Sequence, residues 1–241
     1  MGLETASMKS LRIERKELPC GIVAIPVRTP LVRPGDDLIA LVQRATAGIG
    51  RPGDVIAISE TAVAIAQGQV VPAEYVRPSK MAYFLSQRAG ALATVNQPES
   101  LQIVIDQVGA WKVLYASVMH VVGRLAGRRG MFYEILGEAI TAIDGYTGTL
   151  PPFERTIVFA PQNPDAFSQS VFERTGMACA IVDANDLEKA KVLGASAGVD
   201  RRNIELALLS NPHGNGDEQT PIVVLKWRAN AVNPFFTEAG A

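Results

Sequence analysis

The segment TIVFAPQNPDAFSQSVFERTGMACAIVDAND, residues 156–186, constrains this chain more than any other. It reads as a β-prone run from Thr156 to Ala160, a turn, a helix stopped by Gly176, and a second strand from Ala178 to Val182. Two strands joined through a helix are expected to pair in parallel with a right-handed crossover. Asp183 directly follows the second strand, and open α/β sheets place ligands at the carboxyl ends of such strands.

The remaining chain alternates in the same manner. Ile22 to Val27 is rich in β-formers, and PGDDL at 34–38 supplies a turn and an Asp36 or Asp37 cap for a helix with Leu38, Leu41 and Val42 on one face. PGDVIAISETAVAIAQGQVV reads as turn, buried strand, helix or tight crossover, Gly68 and a short strand. PSKMAYFLSQRAG carries a helix capped by Ser79 and closed by Gly90. The stretch from Gln97 to Gly130 is mostly helical, interrupted near Gly109, and Ile222 to Leu225 forms a late strand. Alternating strands and helices predict an α/β (α+β mixed) chain.

Composition excludes several functions. With 241 residues, 48% hydrophobic and 20% charged, the chain can build a substantial core and is not globally disordered. A net charge of −1 gives no basic field for nucleic acid, so any anion site is local. No apolar stretch has the length of a membrane span, and the opening residues lack a signal-peptide core. A cytoplasmic protein with no nucleic-acid and no membrane partner is expected. Cys20 and Cys179 suit buried free thiols rather than a disulfide framework or zinc site, so a metal here would be a hard ion held by oxygen.

Acids after β-prone segments are the candidate ligands. Asp144, in AITAIDGYTGT, and Asp183 could share a cation, with Gly145 and Gly148 allowing close backbone approach. Taken singly, each aspartate is better explained without a metal, Asp144 by a turn and Asp183 by the cap of a following helix. The loop GNGDEQTP, residues 214–221, gathers acids and amides beyond what a turn needs.

In their order and spacing these segments resemble the coenzyme F420-0:γ-glutamyl ligase family. The resemblance is carried by TPLVRPGDDL, PGDVIAISETAVAIAQGQVV, ITAIDGYTGT, VFAPQNPDAFSQSVFERTGMACAIVDAND and GNGDEQTPIVV, and runs from about Ile22 to Lys226. It implies a two-part fold with mixed sheets, with residues 1–21 as an extension, 22–226 as a ligase-like domain of two intertwined subdomains, and 227–241 as a tail. It also implies an NTP-dependent amide ligase of the GTP type, using Mg2+ or Mn2+, that adds L-glutamate to a deazaflavin coenzyme or related carboxylate through an acyl phosphate. A homodimer is implied as well.

By the same resemblance the metal-binding and catalytic aspartates fall on Asp144 and Asp183, and a third metal ligand on Asn215. Nucleotide contacts fall on Thr29, Pro30, Leu31 and Val32, on Ser59 and Thr147, and on Gly214, Gly216, Asp217 and Glu218. The sequence departs from the family at Ala184, where a Thr is usual, and at Ala64 and Ile65, near which a nucleotide-binding Lys is expected. The stretch after Asp183 is shortened to NDLEKAK. A homologue that binds nucleotide or coenzyme without turnover is therefore the alternative. Asp200, in GVDRRN, is the competing assignment for the first metal aspartate.

GRLAGRRG brings Arg124, Arg128 and Arg129 together as a solvated loop or as a local anion site for a nucleotide phosphate or a coenzyme phosphodiester. His213 reads as a solvated loop residue and His120 as a packed helical one. Trp111, Trp227, Phe235 and Phe236 read as core or subunit-contact residues.

Overall fold

The computed structural model describes residues 16–17, 21–89, 96–137, 140, 143, 153–185, 189–214, 218–228 and 233–237. The chain divides into two compact units, one formed by residues 1–67 and 162–241, the other by residues 68–161.

The first unit is built on a mixed sheet. Its strands are β1 (Lys16–Glu17), β2 (Ile22–Val27), β3 (Val55–Ser59), β6 (Ala178–Asn185), β7 (Lys189–Ala195) and β8 (Ile222–Trp227), in the order β1-β2-β8-β3-β6-β7. Among the described residues only β3 and β6 run parallel; β8 is antiparallel to both of its neighbours. Ile56, Ile58, Ile222 and Leu225 are completely buried. Such unbroken apolar runs mean that both faces of the sheet are covered.

Side-chain alternation assigns the covers. On one face Ala178, Ala180 and Val182 join Val55, Ala57, Val223 and Leu225 in a core shared with Ile204 and Leu208 of helix α8 (Arg201–Leu208) and with Phe235. Cys179 points the other way, toward Ser168 of helix α7 (Pro164–Thr175). Helix α7 in turn meets α1 (Leu38–Thr46), whose Gln43 bonds Arg174. Asp37 caps α1 by accepting from the Ala40 amide at 2.9 Å, and Asp36 accepts from the Arg33 amide in the turn before it. Burial pushes the Cys179 thiol up to about 12, so it is a packed, unreactive group. Cys20 lies outside the described residues.

The expected parallel pair between residues 156–160 and 178–182 does not form. β5 (Thr156–Val158) belongs to the second unit and pairs antiparallel with β4 (Val70–Pro72). Both edges of β6 are filled by β3 and β7, leaving no place for β5 beside it. The connection is helical as read, but the parallel partner of β6 is β3, far earlier in sequence. Asp183 is also not beyond β6: the strand continues through Asn185 and turns back as β7.

In the second unit, helices α3 (Lys80–Ser86), α4 (Pro98–Val108), α5 (Ala110–Leu125) and α6 (Met131–Leu136) accompany the β4–β5 pair. Ser79 caps α3 as expected, and α3 ends at Ser86; Gly90 is outside the described residues. Gly109, at φ +87°, separates α4 from α5. Leu101, Val104, Val113, Ala116, Leu136 and Ile157 form the core. The opposite side of α5 is apolar and uncovered: Trp111 is 83% exposed and Leu125 85%. Trp111 is therefore not a core residue, whereas Phe235 is fully buried against the first unit's own sheet. No helix among the described residues is long and apolar enough to cross a membrane.

Helix α7 lies so close to β7 that Gly194 has no room for a side chain. A Cβ there would sit 2.6 Å from the Asp165 amide nitrogen. Gly194→Ala must push the helix start off the sheet, and a loss of about 3 kcal/mol is expected. Equilibrium unfolding in denaturant checks this; a change below about 0.5 kcal/mol would show that the helix start is not seated on this strand.

Candidate functional site

One edge of the first unit's sheet collects most of the described candidate residues. β2 ends at Val27, β3 ends at Ser59, and β8 begins at Ile222, which pairs with both Val27 and Ile58. Ser59 is in register with Val182, so Asp183 lies one residue past that row. The segments after β2, after β3 and before β8, and the carboxyl half of β6, therefore share one sheet edge.

Backbone hydrogen bonds lock these segments together. The Thr29 amide donates to the Gln219 carbonyl at 3.0 Å, and the Ser59 amide donates to the Pro221 carbonyl at 2.8 Å. Thr29 and Val32 are buried, Leu31 is partly buried and Pro30 is exposed. Gln219 has a positive φ of 54°, uncommon for a residue with a side chain and located where the loop turns into β8. Gly214 also has a positive φ, 74°, and a Cβ there would come within 2.8 Å of the Glu218 carboxyl carbon. The Glu218 carboxylate thus lies over the bare α-carbon of Gly214, an approach only glycine permits.

His213 closes this loop. Its Nδ1 is 3.2 Å from the Thr220 carbonyl oxygen, and the Thr220 hydroxyl donates back to the His213 carbonyl. The imidazole is buried, not solvated as the sequence suggested, because these reciprocal bonds hold it against the segment that leads into β8. The Nδ1 contact requires that nitrogen to carry the proton, leaving the enclosed Nε2 as an unprotonated acceptor. Burial lowers its pKa to about 4.

Asp183 is exposed, and no hydrogen bond or ion pair engages its carboxylate among the described residues. Lys191 stands directly across from it on β7, so ammonium and carboxylate project from the same face. Sequence reading missed Lys191; its only signal is position in a hairpin whose register is not visible without the sheet. Ser59 precedes α2 (Glu60–Ala66), but its hydroxyl does not cap that helix. Helix α2 is apolar and buried from Ala62 through Ala66, so Ala64 and Ile65 offer no cation to a phosphate.

Asp200 is differently occupied. It caps α8, with Oδ1 accepting from the Asn203 amide and Oδ2 from the Asn203 side chain. It follows the carboxyl end of β7, which is antiparallel to β6, and so lies toward the sheet edge opposite Asp183. Asp144, Thr147, Asn215, Gly216 and Asp217 lie outside the described residues. Ile143, just before Asp144, forms an isolated bridge with Phe159. Among the described residues no group of three His, Cys, Asp or Glu side chains is arranged to hold a metal ion. An exposed, unengaged carboxylate does suit the oxygen chemistry of Mg2+, which needs only one or two carboxylates from a protein.

Residues 26–218 match the F420-0:Gamma-glutamyl ligase family, and the chain belongs to that family. It is similar to a protein of Methanopyrus kandleri named Coenzyme F420:L-glutamate ligase, with 26% identity over 173 residues. That alignment covers 72% of this chain and 55% of the relative, so the chain spans about half the length of the curated protein it matches. The mixed α/β architecture is consistent with the family's fold.

His213 sets a pH dependence. Its pKa is about 4 when folded and near the ordinary 6.5 when unfolded, so the unfolded chain binds the proton first as pH falls. The stability this difference contributes is complete above about pH 6.5 and is lost as pH falls toward about 4. Between about pH 7 and about pH 5 the wild type should lose about 2 kcal/mol more than His213→Gln. Denaturant unfolding of both proteins at the two pH values measures it, and parallel losses would show that this imidazole is not buried as a neutral group.

Proposed function

We propose that this protein is an NTP- and divalent-metal-dependent amide ligase of the GTP type, joining L-glutamate to a deazaflavin coenzyme or a related carboxylate. The observation that carries this reading is the convergence of the Thr29 segment, Ser59, the 219–221 segment and Asp183 on one sheet edge of a chain in the γ-glutamyl ligase family. A carboxylate is a poor electrophile. Transfer of the terminal phosphoryl group of the nucleotide to its oxygen releases NDP and leaves an acyl phosphate. The glutamate amine then attacks the carbonyl carbon; the C–N bond forms, the C–O bond to phosphate breaks, and the amine gives up a proton.

In this proposal Asp144 and Asp183 hold Mg2+ or Mn2+, with Asn215 completing the ligand set. The ion, when bound, neutralises phosphate charge. Thr29, Pro30, Leu31, Val32, Ser59, Thr147, Gly214 and Gly216 line the nucleotide. Asp217 or Glu218 positions water or the incoming amine. The ligase-like domain spans residues 22–226, between an extension and a tail. A cytoplasmic location belongs to the same proposal, because nucleotide and free amino acid are found there.

A second reading is a homologue that binds nucleotide or coenzyme without turnover. Ala184 and the buried apolar helix α2 favour it, since neither offers a phosphate partner. Incubation with glutamate, GTP or ATP, Mg2+ or Mn2+, and the deazaflavin acceptor separates the two. Ligation gives a product heavier by one glutamyl residue with NDP released; tight binding without product across several carboxylate acceptors selects the second reading.

Asp183→Asn keeps the side-chain size and removes its charge. Loss of one charge-assisted contact, roughly 1.5–3 kcal/mol, should weaken metal-dependent nucleotide binding by about tenfold or more. In chelator, wild type and variant should converge. Equal affinities in metal, with folding intact, would remove Asp183 from the site.

A homodimer is also part of the proposal. Trp111, Tyr115, Val118, Val122 and Leu125 recur at alternating intervals of four and three along α5, forming an exposed stripe without charge. A helix apolar on both sides needs a second cover, and a self-complementary stripe suits a two-fold copy of itself. Sedimentation should show a dimer that Val118→Asp converts to monomer; a monomeric wild type at tens of micromolar would end this idea.

A further inference from the structure

We propose that the second unit carries a separate binding site for a phosphorylated small molecule, at the junction between α5 and α6. An open depression of about 580 Å3 lies there, lined by His120, Arg124, Gly127 and Arg129. That volume falls in the range of small-molecule sites, roughly 300–1,000 Å3, and exceeds what a bare phosphate fills.

The shape comes from two close backbone features. Gly123 lies on α5 against Met131, whose sulfur occupies the place a Cβ would take, so the start of α6 is drawn tightly to the end of α5. Gly127 then turns the chain at φ +75°, and Arg128 bonds back to the Gly123 carbonyl at 2.8 Å. This turn sets Arg124 and Arg129 around one hollow.

The charges are sorted within it. Arg128 is engaged by Glu134 at 3.0 Å. No side-chain hydrogen bond or ion pair engages the Arg124 or Arg129 guanidinium among the described residues, and no carboxylate appears among the described lining residues. Two unengaged guanidinium groups provide forked donors that match phosphate oxygens. His120 adds a directional contact. Its Nδ1 is enclosed without a partner, and its ring stands edge-on to Phe132, with centroids 6.5 Å apart. An enclosed N–H with no acceptor costs more than an enclosed lone pair, so the proton belongs on Nε2, which can donate to a ligand. Among the described lining residues the polar side chains are donors only, which selects an anion. A phosphate is preferred to a carboxylate because its oxygens can meet both arginines and the imidazole together.

This site stands independently of the proposed ligase reaction. Calorimetric titration of the full chain with ribose 5-phosphate, inorganic phosphate and citrate at about 0.1 M salt tests it. Ribose 5-phosphate should bind with a Kd below about 1 mM and more tightly than inorganic phosphate or citrate. Arg124→Ala combined with Arg129→Ala should weaken it at least about tenfold, and His120→Phe should weaken it while preserving the fold. Asp183→Asn, in the other unit, should leave it unchanged. Equal binding of the three anions, unchanged affinity in the double arginine variant, or affinity for polyanions such as RNA alone would overturn the proposal. A circular dichroism spectrum of each variant keeps loss of folding distinct from loss of the site.

Discussion

Strand β8 is held between β2 and β3, pairing with Ile22 through Val27 on one side and Val55 through Ile58 on the other. Ile222, Val223, Val224 and Leu225 are completely buried. Burying side chains of this size stabilises the fold by roughly 1.5–3 kcal/mol each, which offsets the cost of ordering a strand far along the chain from its partners. Everything at the candidate site follows from this placement. A loop leading into a central strand must pass between the ends of both neighbours. The Gln219 and Pro221 carbonyls consequently face the Thr29 and Ser59 amides, and the His213–Thr220 bonds hold that passage in one shape.

Local structure was legible wherever a residue's own chemistry decides it. The bounds of β2, the Asp37 and Ser79 caps, the break at Gly109 and the Gly176 stop all follow from side-chain reach or positive φ. Strand pairing was not legible. Thr156–Val158 and Ala178–Val182 are β-prone and joined by a helix, yet they pair with different strands. The choice of partner is made by what already fills each edge, and that information is spread over residues more than a hundred positions apart.

The site was legible in part for the same reason. The composition of GNGDEQTP marked a loop with more than a turn's worth of polar groups, but the burial of His213 depends on a clamp to Thr220 that no local pattern specifies. Asp200 illustrates the converse. As a sequence, GVDRRN matched a ligand-bearing motif, but an aspartate three residues before Asn203 and at the start of a helix has a simpler use as its cap. Lys191 was invisible because its relation to Asp183 exists only across the β6–β7 register, which a bulge between Ile181 and Val182 shifts by a residue.

The position of β8 in the strand order also governs synthesis. On the ribosome β2 and β3 emerge early, each with one hydrogen-bonding edge that the much later β8 fills. Residues 68–161 have no share in that sheet and can collect their own core meanwhile. The first unit cannot close until residue 227 has left the exit tunnel, at about 5–20 residues per second. For that interval β2 and β3 each keep one open hydrogen-bonding edge, although β1 and β6 can already fill the other, and an open edge is a template for pairing with another chain.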